Sequence, residues 1–300
     1  MKALKILLIN SLILVFLLFS IEWLAYAQIH NQHKDSFSLR KGHVGSIKED
    51  RYFAISSFSM KGLSFRPVCA KHLKKRPIIL FGCSYTYGVF LENNQTFSYK
   101  LSNYTNRTVY NRGVAGTGLP FMYYQLKETD IKKDIPDTEY IIYTFINDHL
   151  NRLYKYRSWT QAENTNIVYK LEENKLVESK PVSTLYMETY ISRVIEEEFA
   201  NIQVKNKKYD KLFYALMDES MKLAKEKYPG VKFVFLVYDS ASKKLINRLK
   251  DKGFIVIYVS ELLNSRNEIK KEKYFVFDKC HPSEEAWDLL VPKLAAKLNL

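Results

Sequence analysis

Three side chains suited to nucleophilic catalysis occur in two widely separated segments. Ser84 follows an unbroken apolar run at 78–81 and lies in a small-residue turn, Gly-Cys-Ser. Asp278 and His281 are three residues apart near the C-terminus, just before a predicted helix N-cap at Ser283. A serine hydroxyl is a poor nucleophile until a base removes its proton, and the base needs a third group to orient it. His281 could serve as that base, and Asp278 could orient it.

Two other segments offer hydrogen-bond donors for an oxyanion. Residues 109–118 indicate a short strand followed by a glycine-rich turn, and such turns let backbone N–H groups point at an anion. Residues 140–148 indicate a buried strand that ends in polar residues, and the amide side chain of Asn147 can donate there. Because the carboxyl edge of a parallel sheet is where ligands bind, we expect these segments to meet near the serine.

Several competing interpretations of these motifs are weaker. His149 is a rival base, but it has no independent orienting carboxylate three residues away, and we expect it to line the pocket instead. The glycines at 113–118 are in the wrong order for dinucleotide binding, and the turn at 82–88 lacks the lysine of a phosphate-binding loop. Alone, each motif is more typical of an ordinary turn or cap than of a catalytic site.

Four blocks of the chain, taken in order, resemble those of the SGNH (GDSL-type) hydrolase superfamily. They are Gly-Cys-Ser at 82–84, Gly116, Asn-Asp at 147–148 and Asp-Lys-Cys-His at 278–281, and they fall within residues 77–298. The resemblance implies that Ser84 is the nucleophile, His281 the base and Asp278 its orienting group. It also implies an oxyanion hole formed by the Ser84 and Gly116 backbone N–H groups and the Asn147 side chain. It implies no cofactor.

Two residues depart from the family pattern. Cys83 replaces the usual aspartate of the first block, and Phe145 replaces the glycine of the third. We expect Phe145 to narrow or reshape the pocket. Cys83 and Cys280 each precede a candidate catalytic residue, so their thiols are expected near one another, although a disulfide between them is the less favoured arrangement.

Alternating strands and helices predict the fold. Five apolar segments read as strands, at 77–83, 108–112, 139–146, 231–238 and 254–259. Strands that alternate with helices form parallel sheets covered on both faces. The fold class is therefore α/β: a three-layer α/β/α arrangement with a parallel, flavodoxin-like five-stranded sheet, together with an N-terminal membrane anchor.

The predicted division of the chain has three parts. Residues 1–27 form a signal anchor or signal peptide, 28–76 a stalk or edge segment, and 77–300 an SGNH-like hydrolase domain with an insertion at 150–228. The insertion contains a predicted hairpin and a long helical stretch. It is either a lid beside the site or a packing decoration, and both remain open.

The N-terminal segment predicts export from the cytoplasm. Lys2 and Lys5 precede an apolar run that reaches Leu24, and Ala-Tyr-Ala at 25–27 offers a cleavage site. The run nearly spans a bilayer, which favours an uncleaved anchor with the catalytic domain extracytoplasmic, in the periplasm or at the cell surface. If the segment is cleaved, the protein is secreted.

Composition narrows the partners. The chain has 300 residues and a formal net charge of +14, with its lysines and arginines scattered. Such a charge attracts anionic polymers or lipid headgroups. Because no basic and aromatic recognition motif stands out, we expect no nucleic-acid partner. The three cysteines have no metal-binding spacing, and their odd number leaves at least one free thiol in an extracytoplasmic protein.

These observations favour a membrane-anchored serine esterase or deacylase that acts on an acylated cell-envelope glycan or lipid. An O-acyltransferase is a close variant, in which a sugar hydroxyl replaces water as the acceptor. The alternative is a catalytically inactive SGNH-like binding module in envelope polysaccharide assembly, and the unusual Phe145 keeps that alternative open.

Overall fold

The computed structural model describes residues 13–14, 16–24, 75–153, 167–179, 202, 209–239, 241–263 and 271–300. Its main sheet has five parallel strands in the order β2-β1-β3-β6-β7. Their bounds are β1 Ile78–Phe81, β2 Val109–Asn111, β3 Tyr140–Phe145, β6 Lys232–Val237 and β7 Ile255–Tyr258. All five predicted strands are present, each slightly shorter than predicted, and the order is flavodoxin-like.

The helices follow the strands as the alternating pattern predicts. They are α1 Ser84–Tyr87, α2 Phe97–Thr105, α3 Leu119–Glu128, α4 Ile131–Asp134, α5 Asp148–Asn151, α6 Tyr209–Lys227, α7 Lys243–Asp251, α8 Val259–Leu262 and α9 Glu284–Leu298, with 3-10 turns at Asn93–Gln95 and Glu272–Tyr274.

Two apolar cores lie on opposite faces of the sheet. Successive strand residues point to opposite faces, so Ile79 and Phe81 join a core with α3 and α6, whereas Ile78 and Leu80 join one with α2 and α9. In the second core the rings of Phe97 and Trp287 stack with centroids 4.6 Å apart. The predicted three-layer α/β/α arrangement is therefore present.

The described part of the insertion packs on the body of the domain. Strands β4 (Val168–Glu172) and β5 (Lys175–Ser179) form an antiparallel hairpin across a two-residue turn. Tyr169 of this hairpin is buried, and its ring meets that of Tyr123 edge to face at 4.8 Å. This contact favours a packing role for the hairpin. The rest of the predicted lid, at 154–166, 180–201 and 203–208, lies outside the described residues.

The predicted N-terminal anchor is described only in part. Residues 13–14 and 16–24 are helical. Among the described residues, no helix is both long enough and apolar enough to cross a membrane. The rest of 1–27 and the predicted stalk, apart from its last two residues, lie outside the described part of the chain.

Candidate active site

The serine occupies the sharp turn between β1 and α1. The turn begins where β1 ends at Phe81, and α1 starts at Ser84. Ser84 is 8% exposed. The Tyr87 N–H donates to the Cys83 carbonyl at 2.9 Å and closes the first helical turn. The hydroxyl is therefore held at the carboxyl end of a central strand, where the apolar run and small-residue turn predicted it.

The structure brings Ser84, His281 and Asp278 into direct contact. The Nε2 atom of His281 lies 2.7 Å from the Ser84 hydroxyl oxygen, and its Nδ1 atom lies 2.5 Å from Oδ2 of Asp278. Both distances are hydrogen-bond distances, and they run in the order nucleophile, base, orienting carboxylate. This arrangement suits proton transfer from the hydroxyl to the imidazole, with the resulting positive charge facing Asp278.

The Asp278 carboxylate also holds its own loop. Its Oδ1 atom accepts hydrogen bonds from the backbone N–H groups of Cys280 and His281, each at 2.9 Å. Burial alone would raise the pKa of Asp278, but the hydrogen bonds from the His281 ring and from these two N–H groups outweigh it and hold that pKa below its usual value. Asp278 is therefore an anion at neutral pH.

The histidine loop is fixed at both ends. The Val276 N–H donates to the His281 carbonyl at 2.9 Å, and the predicted N-cap is present, because the Ser283 hydroxyl accepts from the Ala286 N–H at 3.4 Å. The Tyr85 hydroxyl donates to the Cys280 carbonyl at 2.7 Å. Tyr85 follows the serine and Cys280 precedes the histidine, so this bond joins the segment that carries Ser84 to the segment that carries His281. Sequence patterns alone did not indicate it.

The two cysteines that precede Ser84 and His281 are free thiols. Cys83 is buried, whereas Cys280 is exposed. The Tyr85 hydroxyl lies 3.6 Å from the Cys280 sulfur, which is within hydrogen-bond distance for a sulfur atom. Cys83 and Cys280 form no disulfide, which agrees with the arrangement that the sequence favoured.

Gly116 lies in a tight turn bound to the strand end before the serine. The Val114 N–H donates to the Gly82 carbonyl at 3.0 Å, and the Thr117 N–H donates to the Val114 carbonyl at 3.2 Å. Gly116 is the third residue of this turn and has a φ of +78°, the left-handed conformation that glycine adopts without strain. The turn therefore stands at the predicted edge of the sheet, and the role of Gly116 as an oxyanion donor stays a prediction.

Asn147 lies at the carboxyl end of β3, the strand that neighbours β1. The residue is exposed, and its backbone N–H donates to both carboxylate oxygens of Asp239, at 3.0 and 2.9 Å. Asp239 follows β6, so this bond joins the ends of two neighbouring strands. The donor role of the Asn147 amide side chain stays a prediction, and sequence analysis missed Asp239 because it belongs to no block.

A partly buried arginine, Arg152, connects the blocks of the sequence. Arg152 donates from Nη1 to the Thr117 carbonyl at 2.6 Å and from Nε to Oδ2 of Asp148 at 2.7 Å. Its guanidinium also contacts Cys83. One side chain therefore joins the serine turn, the glycine turn and the helix that follows Asn147. Nothing in the sequence marked Arg152, because a polar residue that joins distant segments has no periodic pattern.

Two expectations from the sequence are wrong. His149 does not line an open pocket, because it is fully buried, its Nδ1 atom lies 2.7 Å from the Tyr143 hydroxyl, and burial holds its pKa well below the usual value. Phe145 does not narrow the pocket either. Its side chain is fully buried and packs against the rings of Phe213 and Phe235, at 6.1 and 5.0 Å. Both residues belong to the core that supports the site.

Two phenylalanines lie near the histidine: Phe90 contacts its ring, and Phe277 contacts Phe90. The rings of Phe90 and Phe277 are 4.7 Å apart, and Phe90 meets the His281 ring at 5.8 Å with an interplanar angle of 79°. Phe277 is 40% exposed. Phe90 has a φ of +68°, a conformation that costs a side chain of this kind about 1 kcal/mol or more.

The chain was compared with known proteins. No protein-family model matches the sequence, and no curated protein sequence matches it significantly. Among solved structures it is similar to a protein assigned to the lipolytic G-D-S-L family from Desulfitobacterium hafniense DCB-2, with 9% identity, a TM-score of 0.47, and coverage of 74% of this chain and 99% of that one.

Two further structures show the same level of similarity. A member of the lipolytic protein G-D-S-L family from Veillonella parvula DSM 2008 has 14% identity and a TM-score of 0.44, covering 74% of this chain and 97% of that one. The acetyl xylan esterase Est2A from Butyrivibrio proteoclasticus has 9% identity and a TM-score of 0.42, covering 76% of this chain and 64% of that one. These proteins are of the kind that the four sequence blocks resemble. Because the identities are 9–14% and the TM-scores are below 0.5, we draw no conclusion about chemistry from this similarity.

Proposed function

We propose that this protein is a serine esterase or deacylase of the SGNH type. The observation that carries the proposal is the unbroken chain of contacts from the Ser84 hydroxyl through His281 to Asp278, at 2.7 and 2.5 Å. Such a chain activates a hydroxyl that is otherwise unreactive. The fold supports the proposal by placing that hydroxyl at the carboxyl edge of a parallel sheet.

In the proposed reaction, His281 takes the proton of Ser84 as the serine oxygen attacks the ester carbonyl. A tetrahedral intermediate forms, and its oxyanion accepts hydrogen bonds from the backbone N–H groups of Ser84 and Gly116 and from the Asn147 amide. His281 then passes the proton to the leaving alcohol, which departs and leaves an acyl-serine. Water, deprotonated by His281, releases the acid. A sugar hydroxyl in place of water would make the protein an O-acyltransferase.

The proposed substrate is an acylated glycan or lipid of the cell envelope, and the proposed location is the outer face of a membrane. The apolar N-terminal run supports a membrane location, since Phe16 and Phe19 are 71 and 73% exposed and need an apolar surrounding. The net charge of +14 supports attraction to an anionic surface. The inactive binding module loses its main support, because Phe145 is buried in the core.

Replacing the nucleophile tests the proposal. We expect Ser84→Ala to reduce hydrolysis of a short-chain aryl acetate by at least about 1,000-fold, because only Ser84 can form the acyl-enzyme. The matched control is Ser220→Ala, since the Ser220 hydroxyl is buried in α6 and has no hydrogen-bond partner among the described residues. Its rate should stay within twofold of the wild type. Undiminished hydrolysis by pure Ser84→Ala protein would overturn the proposal.

A further inference from the structure

Arg152 contacts every segment that carries a predicted oxyanion donor. Its Nη1 atom donates to the Thr117 carbonyl at 2.6 Å, and its Nε atom donates to Oδ2 of Asp148 at 2.7 Å. The guanidinium also contacts Cys83. Each of these three residues is the direct chain neighbour of one predicted donor. A single cation therefore touches the serine turn, the glycine turn and the start of α5, and the proposed reaction gives it no role.

The predicted donors themselves are not held by hydrogen bonds of their own. Among the residues that the structure describes, no hydrogen-bond partner is present for the three donor groups, which are the backbone N–H groups of Ser84 and Gly116 and the side-chain amide of Asn147. An oxyanion hole works only if its donors are aimed in advance at the place where the charge develops. Their direction must therefore come from the residues beside them.

The turn that carries Gly116 is fastened at both ends. Its first residue, Val114, donates its N–H to the Gly82 carbonyl at 3.0 Å. Its last residue, Thr117, donates its N–H and its hydroxyl to the Val114 carbonyl, at 3.2 and 2.8 Å, and its own carbonyl accepts from Arg152. Gly116 lies between these two ends, so Arg152 fixes the end of the turn that is next to the predicted donor.

The same guanidinium fixes the start of α5. Oδ2 of Asp148 accepts from it, and Oδ1 accepts from the Asn151 side chain at 3.2 Å. The Arg152 side chain is only 15% exposed, so water competes less for this ion pair than for one at the surface. Because a guanidinium is planar and rigid, it sets the separation and the relative orientation of the Thr117 carbonyl and the Asp148 carboxylate.

We propose that Arg152 is a positioning residue that holds the Gly116 and Asn147 donors at the separation that an oxyanion needs. It acts through the two residues that it bonds, Thr117 and Asp148. This inference rests on the proposed esterase function and names a residue outside the four sequence blocks. Because the negative charge on the carbonyl oxygen develops only in the transition state, loss of Arg152 should lower kcat and leave KM nearly unchanged.

An ester and its thiono analogue distinguish oxyanion positioning from a general structural defect. Phenyl thionoacetate carries sulfur in place of the carbonyl oxygen of phenyl acetate, and sulfur is larger and a weaker hydrogen-bond acceptor. Well-aimed donors therefore favour the oxygen ester. We expect Arg152→Gln to lower kcat for phenyl acetate by about 10- to 100-fold. The ratio of kcat/KM for the ester over the thionoester should fall by about 10-fold. Damage that only displaces Ser84 lowers both rates and leaves the ratio unchanged.

Two further variants serve as controls. Arg152→Lys keeps the positive charge, but an ammonium group cannot bond both partners in one plane, so the ratio should fall as it does in Arg152→Gln. Arg107→Gln removes another ion-paired arginine, whose side chain is 9% exposed and bonds Glu139 and the Arg76 carbonyl at the amino edge of the sheet. It should leave the ratio unchanged. An unchanged ratio in Arg152→Gln, full restoration by Arg152→Lys, or an equal fall in Arg107→Gln would each contradict the positioning role.

Hydrogen exchange tests the same contacts without any turnover. We expect the backbone amides of 114–118 and 147–151, followed by mass spectrometry in the full-length chain, to exchange at least about fivefold faster in Arg152→Gln than in the wild type, because the loss of charged hydrogen bonds promotes local opening. In Arg107→Gln these segments should exchange at the wild-type rate. Unchanged exchange in Arg152→Gln would overturn the inference, whereas faster exchange in a protein that hydrolyses neither ester would overturn only the esterase proposal.

Discussion

At the residue scale, the Asp278 carboxylate uses its two oxygens differently. Oδ1 accepts two backbone N–H groups and shapes the loop, whereas Oδ2 faces the imidazole of His281. Loop geometry and base orientation therefore depend on the same side chain. The phenol of Tyr85 adds a neutral support, because burial raises its pKa well above the usual value and keeps its hydroxyl protonated as a donor to the Cys280 carbonyl.

The Asp278→Asn variant removes the negative charge of the side chain and keeps its size and shape. We expect Asp278→Asn to reduce the rate of ester hydrolysis by about four orders of magnitude, because the imidazole loses the partner that fixes its tautomer and balances its charge. The steady-state rate with an aryl acetate measures this. Asp137→Asn is the control, since Asp137 is half exposed and pairs with Arg76 at the surface. Near-wild-type activity of Asp278→Asn would contradict the assigned role.

The same variant has a defined effect on stability against pH. The pKa of Asp278 is lower in the folded than in the unfolded chain, so its carboxylate stabilises the fold above the unfolded value of about 4. That contribution is lost as the pH falls through the lower, folded value. We expect the difference in unfolding free energy between wild type and Asp278→Asn to be full near pH 6 and to shrink below about pH 4.

At the element scale, the glycine turn after β2 packs tightly against the helix that carries the serine. A Cβ atom at Gly113 would lie 2.7 Å from the Thr86 Cβ and 2.8 Å from the Tyr87 backbone nitrogen. The Asn111 side chain donates to the Thr86 carbonyl at 2.8 Å and holds the two segments together. The position of α1, and with it Ser84, therefore depends on this contact between the first two strand ends.

Adding a methyl group at that contact should move Ser84, the proposed nucleophile. We expect Gly113→Ala to reduce kcat by about 10- to 100-fold, because a shift of about 1 Å is enough to spoil the geometry of attack. It should also cost about 1–3 kcal/mol of unfolding free energy. At Gly118 in the same loop, a Cβ would meet its nearest atom at 3.5 Å, so Gly118→Ala should be tolerated. Equal effects of the two substitutions on kcat would contradict this account.

The central strands could be predicted from the sequence because β1 and β3 are unbroken apolar runs that lead into polar or small residues. The links between them could not. Arg152 and Tyr85 each bond to carbonyls far away in the chain, and such contacts leave no periodic trace. Phe145 was expected in the pocket because it occupies the glycine position of the third block, although the alternation of strand residues places its side chain in the core. It points to the same core as Ile141 and Tyr143, as a period of two requires.

At the scale of the whole molecule, the contact between Ser84 and His281 joins two segments that are distant in sequence. Ser84 and His281 are 197 residues apart, yet their side chains touch. The contact holds because α9, which follows the histidine loop, packs on α2, and Gln95 and Lys100 bond to Glu284 at its start. The net charge of +14 and the apolar N-terminal run do not contribute to this contact. They concern the proposed location of the enzyme.

The most direct test of the central claim is the reaction of the full-length chain with a serine-reactive fluorophosphonate, read by peptide mass spectrometry. We expect about one adduct per chain, located on Ser84, because among the residues that the structure describes only that hydroxyl contacts a base held by a carboxylate. Labelling should be lost in His281→Ala and kept in His149→Gln. An unlabelled Ser84, undiminished labelling in His281→Ala, or loss of labelling in His149→Gln would contradict the assignment of His281 as the base that activates Ser84.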